Sequence, residues 1–263
     1  MEPLRQYYFT GGMPAVVAEY VESGNLAKVR RIQKGLVRGY EQDFSKHVPE
    51  REAVKVYSVW NSIPGQLAKE NRKFIYGAIR KGARAKEYEA AIEWLLKNGL
   101  VHMVHRVKKI EKPAKFYEDL DCFKLFVLDL GLLGAMVDAP ADAVLIGDGI
   151  FSEYKGSFTE QYVAQQFYAS SGQPLYYYTN QRSTVEVDFV FDFRNIYPVE
   201  VKAETNLRSK SLSLVLKDSG LEGIRFSMAP YKEQERMVNV PLPFAEEYVR
   251  MLSNRMSGDS LLG

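Results

Sequence analysis

The sequence predicts an α+β protein in two parts, a helical N-terminal portion over residues 1–120 and an α/β portion over residues 121–263. Two observations predict this. As far as Lys97 the apolar residues recur mostly at helical spacing, whereas beyond Gly149 short runs alternate and are divided by turn residues. The composition, 46% hydrophobic and 26% charged over 263 residues, is that of a globular chain able to bury one or two cores. It excludes a disordered chain, a fibrous repeat and an acidic tail protein.

The elements follow in order. Pro14 to Glu22 and Leu26 to Phe44 carry helical spacing, and Glu50 to Trp60 starts with the acidic first turn that helix N-termini favour. Pro64-Gly65 is expected to break the third helix, and Phe74 to Ile79 reads as a short apolar segment stopped near Gly82. Arg84 to Lys97 is the clearest helix, with Tyr88, Ala91, Ile92, Leu95 and Leu96 on one stripe and Asn98-Gly99 as its stop. Leu100 to Val107 reads as a strand, and a basic stretch runs on to Lys115. Cys122 to Leu133 reads as a buried strand leading into a short helix, and Pro140 and Gly147-Asp148-Gly149 mark a loop. Then come a helix (Ser157 to Ala169), strands at Leu175 to Thr179, Val185 to Phe193 and Ile196 to Ala203, a helix at Leu207 to Lys217, a strand at Ile224 to Met228 and an outer helix at Phe244 to Leu252.

Charge is unevenly spread. From Lys69 to Lys115 there are 13 Lys and Arg against 5 Glu, a net of +8, so the rest of this +2 chain carries −6. A basic segment in a near-neutral chain points to contact with a polyanion, or to a solvated surface offset by an acidic neighbour. Three helices, a strand and a basic turn are in the order of a winged-helix unit, whose last helix enters the major groove. Here Glu87, Glu89 and Glu93 on that helix would repel phosphate. DNA contact is therefore expected from Arg80, Lys81, Arg84 and Lys86 before it and from Arg106, Lys108, Lys109 and Lys112 after it. The same unit also suits packing or protein contact.

The candidate chemistry lies in two successive strands. Val187, Phe189 and Phe191 share one face with Val185, while Glu186 and Asp188 take the other; Glu200 and Lys202 likewise oppose Val199, Val201 and Ala203. A turn centred on Arg194 puts Asp188 opposite Glu200, and a one-residue slip would break both apolar faces. Two carboxylates so placed repel, and a cation between them relieves that. Magnesium suits hard oxygen ligands. Lys202 is placed to orient or deprotonate a water, Glu160 on the preceding helix could supply a third carboxylate, and Val201 could offer its carbonyl. An antiparallel sheet with one solvated face shows the same alternation.

Glu160, Asp188 and Glu200-Val201-Lys202, in the order helix, three strands, helix, strand, resemble the PD-(D/E)xK nuclease-like fold. That likeness implies a magnesium site at Asp188, Glu200, Val201 and Glu160, with Lys202 catalytic. Gly11-Gly12-Met13-Pro14, Asp43-Phe44-Ser45-Lys46, Asp129-Leu130-Gly131-Leu132-Leu133 and the two strands above also resemble a domain of unknown function. That domain is found C-terminal to the AAA-type ATPase module of prokaryotic ATP-binding proteins. The resemblance implies a winged-helix portion followed by a nuclease-like one, with such an ATPase module as a partner. No G-x-x-x-x-G-K-[ST] occurs, so no P-loop ATPase activity is expected of this chain. A non-catalytic module that regulates or targets an ATPase is the alternative. The lone Cys122 and the absence of a secretory pattern in the first residues suggest a cytoplasmic protein, and no membrane span is expected. His102 and His105, three apart in a strand, face opposite sides and are not expected to share a metal. Tyr176-Tyr177-Tyr178 offers either packing or base stacking.

Overall fold

The computed structural model describes residues 2–69, 72–147, 155–205 and 208–257. It is α+β: a helical N-terminal region is followed by an eight-stranded mixed sheet. Contacts divide the chain into two units, residues 1–103 with 124–161, and residues 104–123 with 162–263.

The first unit is helical. Helix α1 (Glu2–Thr10) was not foreseen, although Pro3 suits a first turn and Leu4, Tyr8 and Phe9 are buried from it. Helix α2 (Pro14–Ser23) follows, and α3 (Leu26–His47) is capped by Asn25, whose side chain accepts from the Lys28 N–H at 3.0 Å. Helix α4 (Glu50–Leu67) corrects the sequence reading, because it runs through Pro64-Gly65 instead of breaking there. A proline inside a helix costs roughly 3 kcal/mol, while burying Ile63 and Leu67 returns about 1.5–3 kcal/mol each. Packing wins. The Phe74–Ile79 segment holds a short 3₁₀ turn at Tyr76–Ala78, and α5 (Ala85–Lys97) begins and ends as its periodicity predicts. Trp60 is fully buried, and Phe44 meets the edges of Trp60 and Trp94 at centroid distances of 6.1 and 5.4 Å.

Two of the motifs behind the family resemblance meet in this unit. Asp129 caps helix α6 (Leu130–Met136) by accepting from the Leu132 N–H at 3.0 Å, and its second oxygen accepts from the Gly12 N–H at 2.7 Å. Gly11 is held at φ +69° with Asp129 against it, and Gly131 lies so close to the Thr10 carbonyl that a Cβ would sit 2.3 Å from it. Gln33 donates to the Phe9 and Thr10 carbonyls at 2.7 and 3.0 Å.

The sheet contains β1 (Val101–Val107), β2 (Glu118–Val127), β3 (Tyr176–Thr179), β4 (Glu186–Asp192), β5 (Ile196–Val201), β6 (Gly223–Ser227), β7 (Lys232–Gln234) and β8 (Met237–Pro241). Their order is β2-β1-β3-β4-β5-β6-β8-β7. The strand expected to open a wing, β1, is therefore a member of the large sheet and runs parallel to β3. Strands β3, β4 and β5 are antiparallel neighbours, and β6 is parallel to β5. Helix α7 (Lys155–Ser171) precedes β3 and α8 (Lys210–Ser219) links β5 to β6. The expected starting point of α8, Leu207, lies outside the described residues, as do Asp148 and Gly149 of the expected loop. Strands β7 and β8 escaped the sequence reading: every residue of β7 is polar and exposed. Helix α9 (Ala245–Ser257) matches the expected outer helix. Phe167 of α7 stacks on Phe191 and Phe193 at 4.7 and 5.6 Å, and Tyr176 and Tyr177 are buried, so those two rings pack. No helix among the described residues is long and apolar enough to cross a membrane.

Candidate functional site

The site is built on the β4–β5 hairpin. Val187, Phe189, Phe191 and Val199 are completely buried on one face, which fixes the register. Phe189 lies opposite Val199, Val190 opposite Pro198, Phe191 opposite Tyr197 and Asp192 opposite Ile196, the register of a turn centred on Arg194. One step beyond the Phe189–Val199 pair, the alternation places Asp188 and Glu200 across from each other on the second face. The pairing continues across the sheet, with Glu200 beside Arg225 on β6 and Arg225 beside Asn239 on β8. Asp188, Glu200, Arg225 and Asn239 thus form a polar row over four strands.

The contacts along this row differ in kind. Asp188 accepts from the Val201 N–H at 2.7 Å, which ties its carboxylate to the end of β5. Lys202, just beyond β5, places its ammonium 2.5 Å from Glu200 Oε1. The other oxygen, Oε2, is buried without a hydrogen-bond partner among the described residues. Burial, and then repulsion from Asp188, raise the Glu200 pKa above its ordinary value, while Lys202 and Arg225 pull it back down. Arg225 is 1% exposed. It donates to Asn239 Oδ1 at 3.0 Å and to Gln234 Oε1 at 2.8 Å, and Ser227 also donates to Asn239 Oδ1 at 2.7 Å. A buried guanidinium needs such partners. The sequence reading missed Arg225, yet a lone charge inside the apolar run Ile224-Arg225-Phe226 was the signal for it.

Glu160 takes a different place. It lies on the part of α7 that belongs to the first unit, where Arg72 forms a close ion pair with Oε1 and the fully buried Lys124 lies 3.7 Å from Oε2. It is the anion between two buried or half-buried cations, not a carboxylate awaiting one. Among the described residues no three His, Cys, Asp or Glu side chains converge as a metal cluster.

The eight basic residues read as DNA contacts also divide. Arg80, Lys81, Arg84 and Lys86 are exposed, with Arg80 paired to Glu87 at 2.9 Å. Arg106 is instead engaged by Asp119 across neighbouring strands, and Lys112 pairs with Asp192 at 3.2 Å and donates to backbone carbonyls of the β4–β5 turn. Both hold the fold. Lys108 and Lys109 are exposed.

A mixed sheet bearing a carboxylate pair with a lysine beside it, together with a helical unit tied by an Asp–Gly knot, defines the class: an α+β protein with a candidate acid–lysine site. Residues 1–143, more than half of the chain, match the family model described as a domain of unknown function (DUF8612), and the chain belongs to that family. Residues 155–244 match a second model, also a domain of unknown function (DUF4143). No curated protein and no solved structure matches the chain.

Proposed function

We propose that the C-terminal portion is a PD-(D/E)xK nuclease-like module that hydrolyses phosphodiester bonds of DNA with magnesium, and that the helical portion, winged-helix in its order of elements, docks it. The order α7-β3-β4-β5-α8-β6, antiparallel through β5 and parallel at β6, supports the fold reading. The observation that carries the function is the Asp188–Glu200 pair with Lys202 at 2.5 Å from Glu200.

A divalent cation fits the residues present. Glu200 Oε2 has no hydrogen-bond partner among the described residues, and beside burial its pKa is raised by the repulsion from Asp188 that a cation would neutralise. Asp188 and Glu200 with the Val201 carbonyl match the few protein ligands magnesium takes. When bound, the metal supplies charge stabilisation at a phosphoryl oxygen and a more acidic water. Lys202 holds Glu200 by its ammonium and, at 35% exposure, reaches solvent, where it orients the attacking water. Arg225 offsets the charge of Glu200 from the adjacent strand. Exposed Lys81, Arg84, Lys86, Lys108 and Lys109 supply phosphate contacts.

The test is magnesium-dependent cleavage of plasmid and single-stranded DNA by the wild type and by the Asp188→Ala, Lys202→Ala double variant. Cleavage by the wild type alone is expected; equal activity in both overturns the reading. The pH dependence is signed. A raised carboxyl pKa means that the fold holds this proton more tightly than the unfolded chain does. The metal-free protein therefore loses this contribution to stability as pH rises from the ordinary 4.5 through the raised value. Magnesium should raise the melting temperature only above that range, in scans with and without chelator, and Glu200→Gln should remove the effect.

A second reading, a non-catalytic module that regulates or targets an AAA-type ATPase, draws on Glu160, whose engagement by Arg72 and Lys124 leaves only two carboxylates for a metal. Co-purification with such an ATPase, without cleavage activity, is its expected result.

A further inference from the structure

The connection between β1 and β2, residues 108–117, combines a rigid anchor with an aromatic ring that the fold leaves in water. The anchor is Ala114, fully buried among Val107, Tyr176, Val190 and Ile196. Its N–H donates to Asp192 at 2.8 Å, and the Lys108 N–H donates to the Tyr117 carbonyl at 2.8 Å. The Phe116 N–H donates to the Pro113 carbonyl at 3.0 Å. Two residues past the buried Ala114, Phe116 is 83% exposed. A loop pinned this firmly gains nothing in folding from a phenyl ring held in solvent.

The surroundings of that ring are cationic. Lys108, Lys109, Lys112 and Lys115 lie in the same ten residues with a single acid, Glu111. Lys112 is taken up by Asp192, and Lys109 lies 5.8 Å from the Tyr117 ring centroid and 3.8 Å from Glu111. Lys108 and Lys115 are exposed, and Lys115 adjoins Phe116 in the chain. An aromatic face flanked by ammonium groups complements a polyanion whose π-faces are open, which describes unpaired nucleotides rather than a duplex, where the bases are stacked on one another. We propose that Phe116 is a stacking platform for a base of single-stranded DNA, with Lys108 and Lys115 on the adjoining phosphates. This rests on the DNA-binding reading above and adds the strand state to it.

The test compares wild type, Phe116→Ala and Lys115→Ala for binding of a short oligothymidylate and of a duplex of equal length over a range of salt. Phe116→Ala should weaken the oligothymidylate between about five- and a hundred-fold while leaving duplex binding unchanged. Lys115→Ala should weaken both and lower the salt slope by about one. In Phe116→Trp, oligothymidylate should quench the added fluorescence beyond the wild-type change due to Trp60 and Trp94. Wild-type binding that Phe116→Ala leaves intact overturns this inference alone; no wild-type binding of either DNA overturns it together with the DNA-binding reading. A change in sedimentation of Phe116→Ala, with oligothymidylate binding intact, marks the ring as a protein contact and overturns the inference too.

Discussion

Gly131→Ala is expected to cost the protein about 3 kcal/mol or more, and Gly35→Ala to stabilise it by about 0.5–1 kcal/mol, although both replace a helical glycine by the best helix former. The difference is space. At Gly35, on α3, a Cβ meets nothing within 4 Å among the described residues, so only the gain in helix propensity remains. At Gly131 it would sit 2.3 Å from the Thr10 carbonyl oxygen and 2.7 Å from Gln33 Nε2. Neither can step aside freely. The Thr10 oxygen is backbone, and Gln33 is held by its bonds to Phe9 and Thr10. Relief requires α6 to move off α1, which strains the Gly12–Asp129 bond and the cap that Asp129 places on α6. For a chain of this size 1 kcal/mol shifts the melting temperature by roughly 2–4 °C. Thermal scans should therefore show Gly131→Ala lower by about 6–12 °C and Gly35→Ala slightly higher. Equal shifts in the two variants would refute the packing account of the knot.

This knot also shows where the sequence was legible and where it was not. Gly11-Gly12 and Asp129-Leu130-Gly131 could be picked out as motifs, but their meeting spans more than a hundred residues, and no local periodicity encodes such a contact. The β4–β5 register could be read because two apolar faces must both be satisfied, a constraint contained in Val187, Phe189, Phe191 and Val199 themselves. The local propensity of Pro64 points to a break because it does not contain the burial of Ile63 and Leu67, which holds the helix through it. Strand β7 was invisible because an exposed edge of three polar residues carries no hydrophobic signal. Glu160 was legible as a helix residue but not as the partner of Arg72 and Lys124, since which cation claims a carboxylate depends on tertiary placement. The same applies to Arg106 and Lys112, basic by count yet internally paired.

Asp188→Asn and Lys202→Ala are expected to lower magnesium-dependent cleavage by about 10²–10⁴-fold, and Asp188→Asn is expected to do so without loss of fold stability in the metal-free protein. If the row Asp188, Glu200, Arg225, Asn239 existed to hold the sheet together, removing a negative charge from it would destabilise the fold, because a charge pair would be broken. Repulsion from Asp188 is instead among the causes that raise the Glu200 pKa, so the two carboxylates oppose each other, as the proposed cation site requires. Asparagine at position 188 keeps an oxygen for the Val201 N–H, which Asp188 now holds at 2.7 Å, and removes the repulsion. Glu200 should then ionise more readily, and the metal-free protein at neutral pH should melt no lower than the wild type. Lys202→Ala acts in the opposite sense on Glu200, since it takes away the ammonium that favours the ionised form. The two variants should thus share a loss of cleavage while shifting the pH dependence of metal-free stability in opposite directions. A purely structural ion-pair row would give losses of stability in both, and melting curves recorded with chelator across the carboxylate range distinguish the two outcomes. Proteins accept carboxylates that repel each other where the opposition serves chemistry, and on the proposed reading Asp188 with Glu200 makes that trade in this sheet.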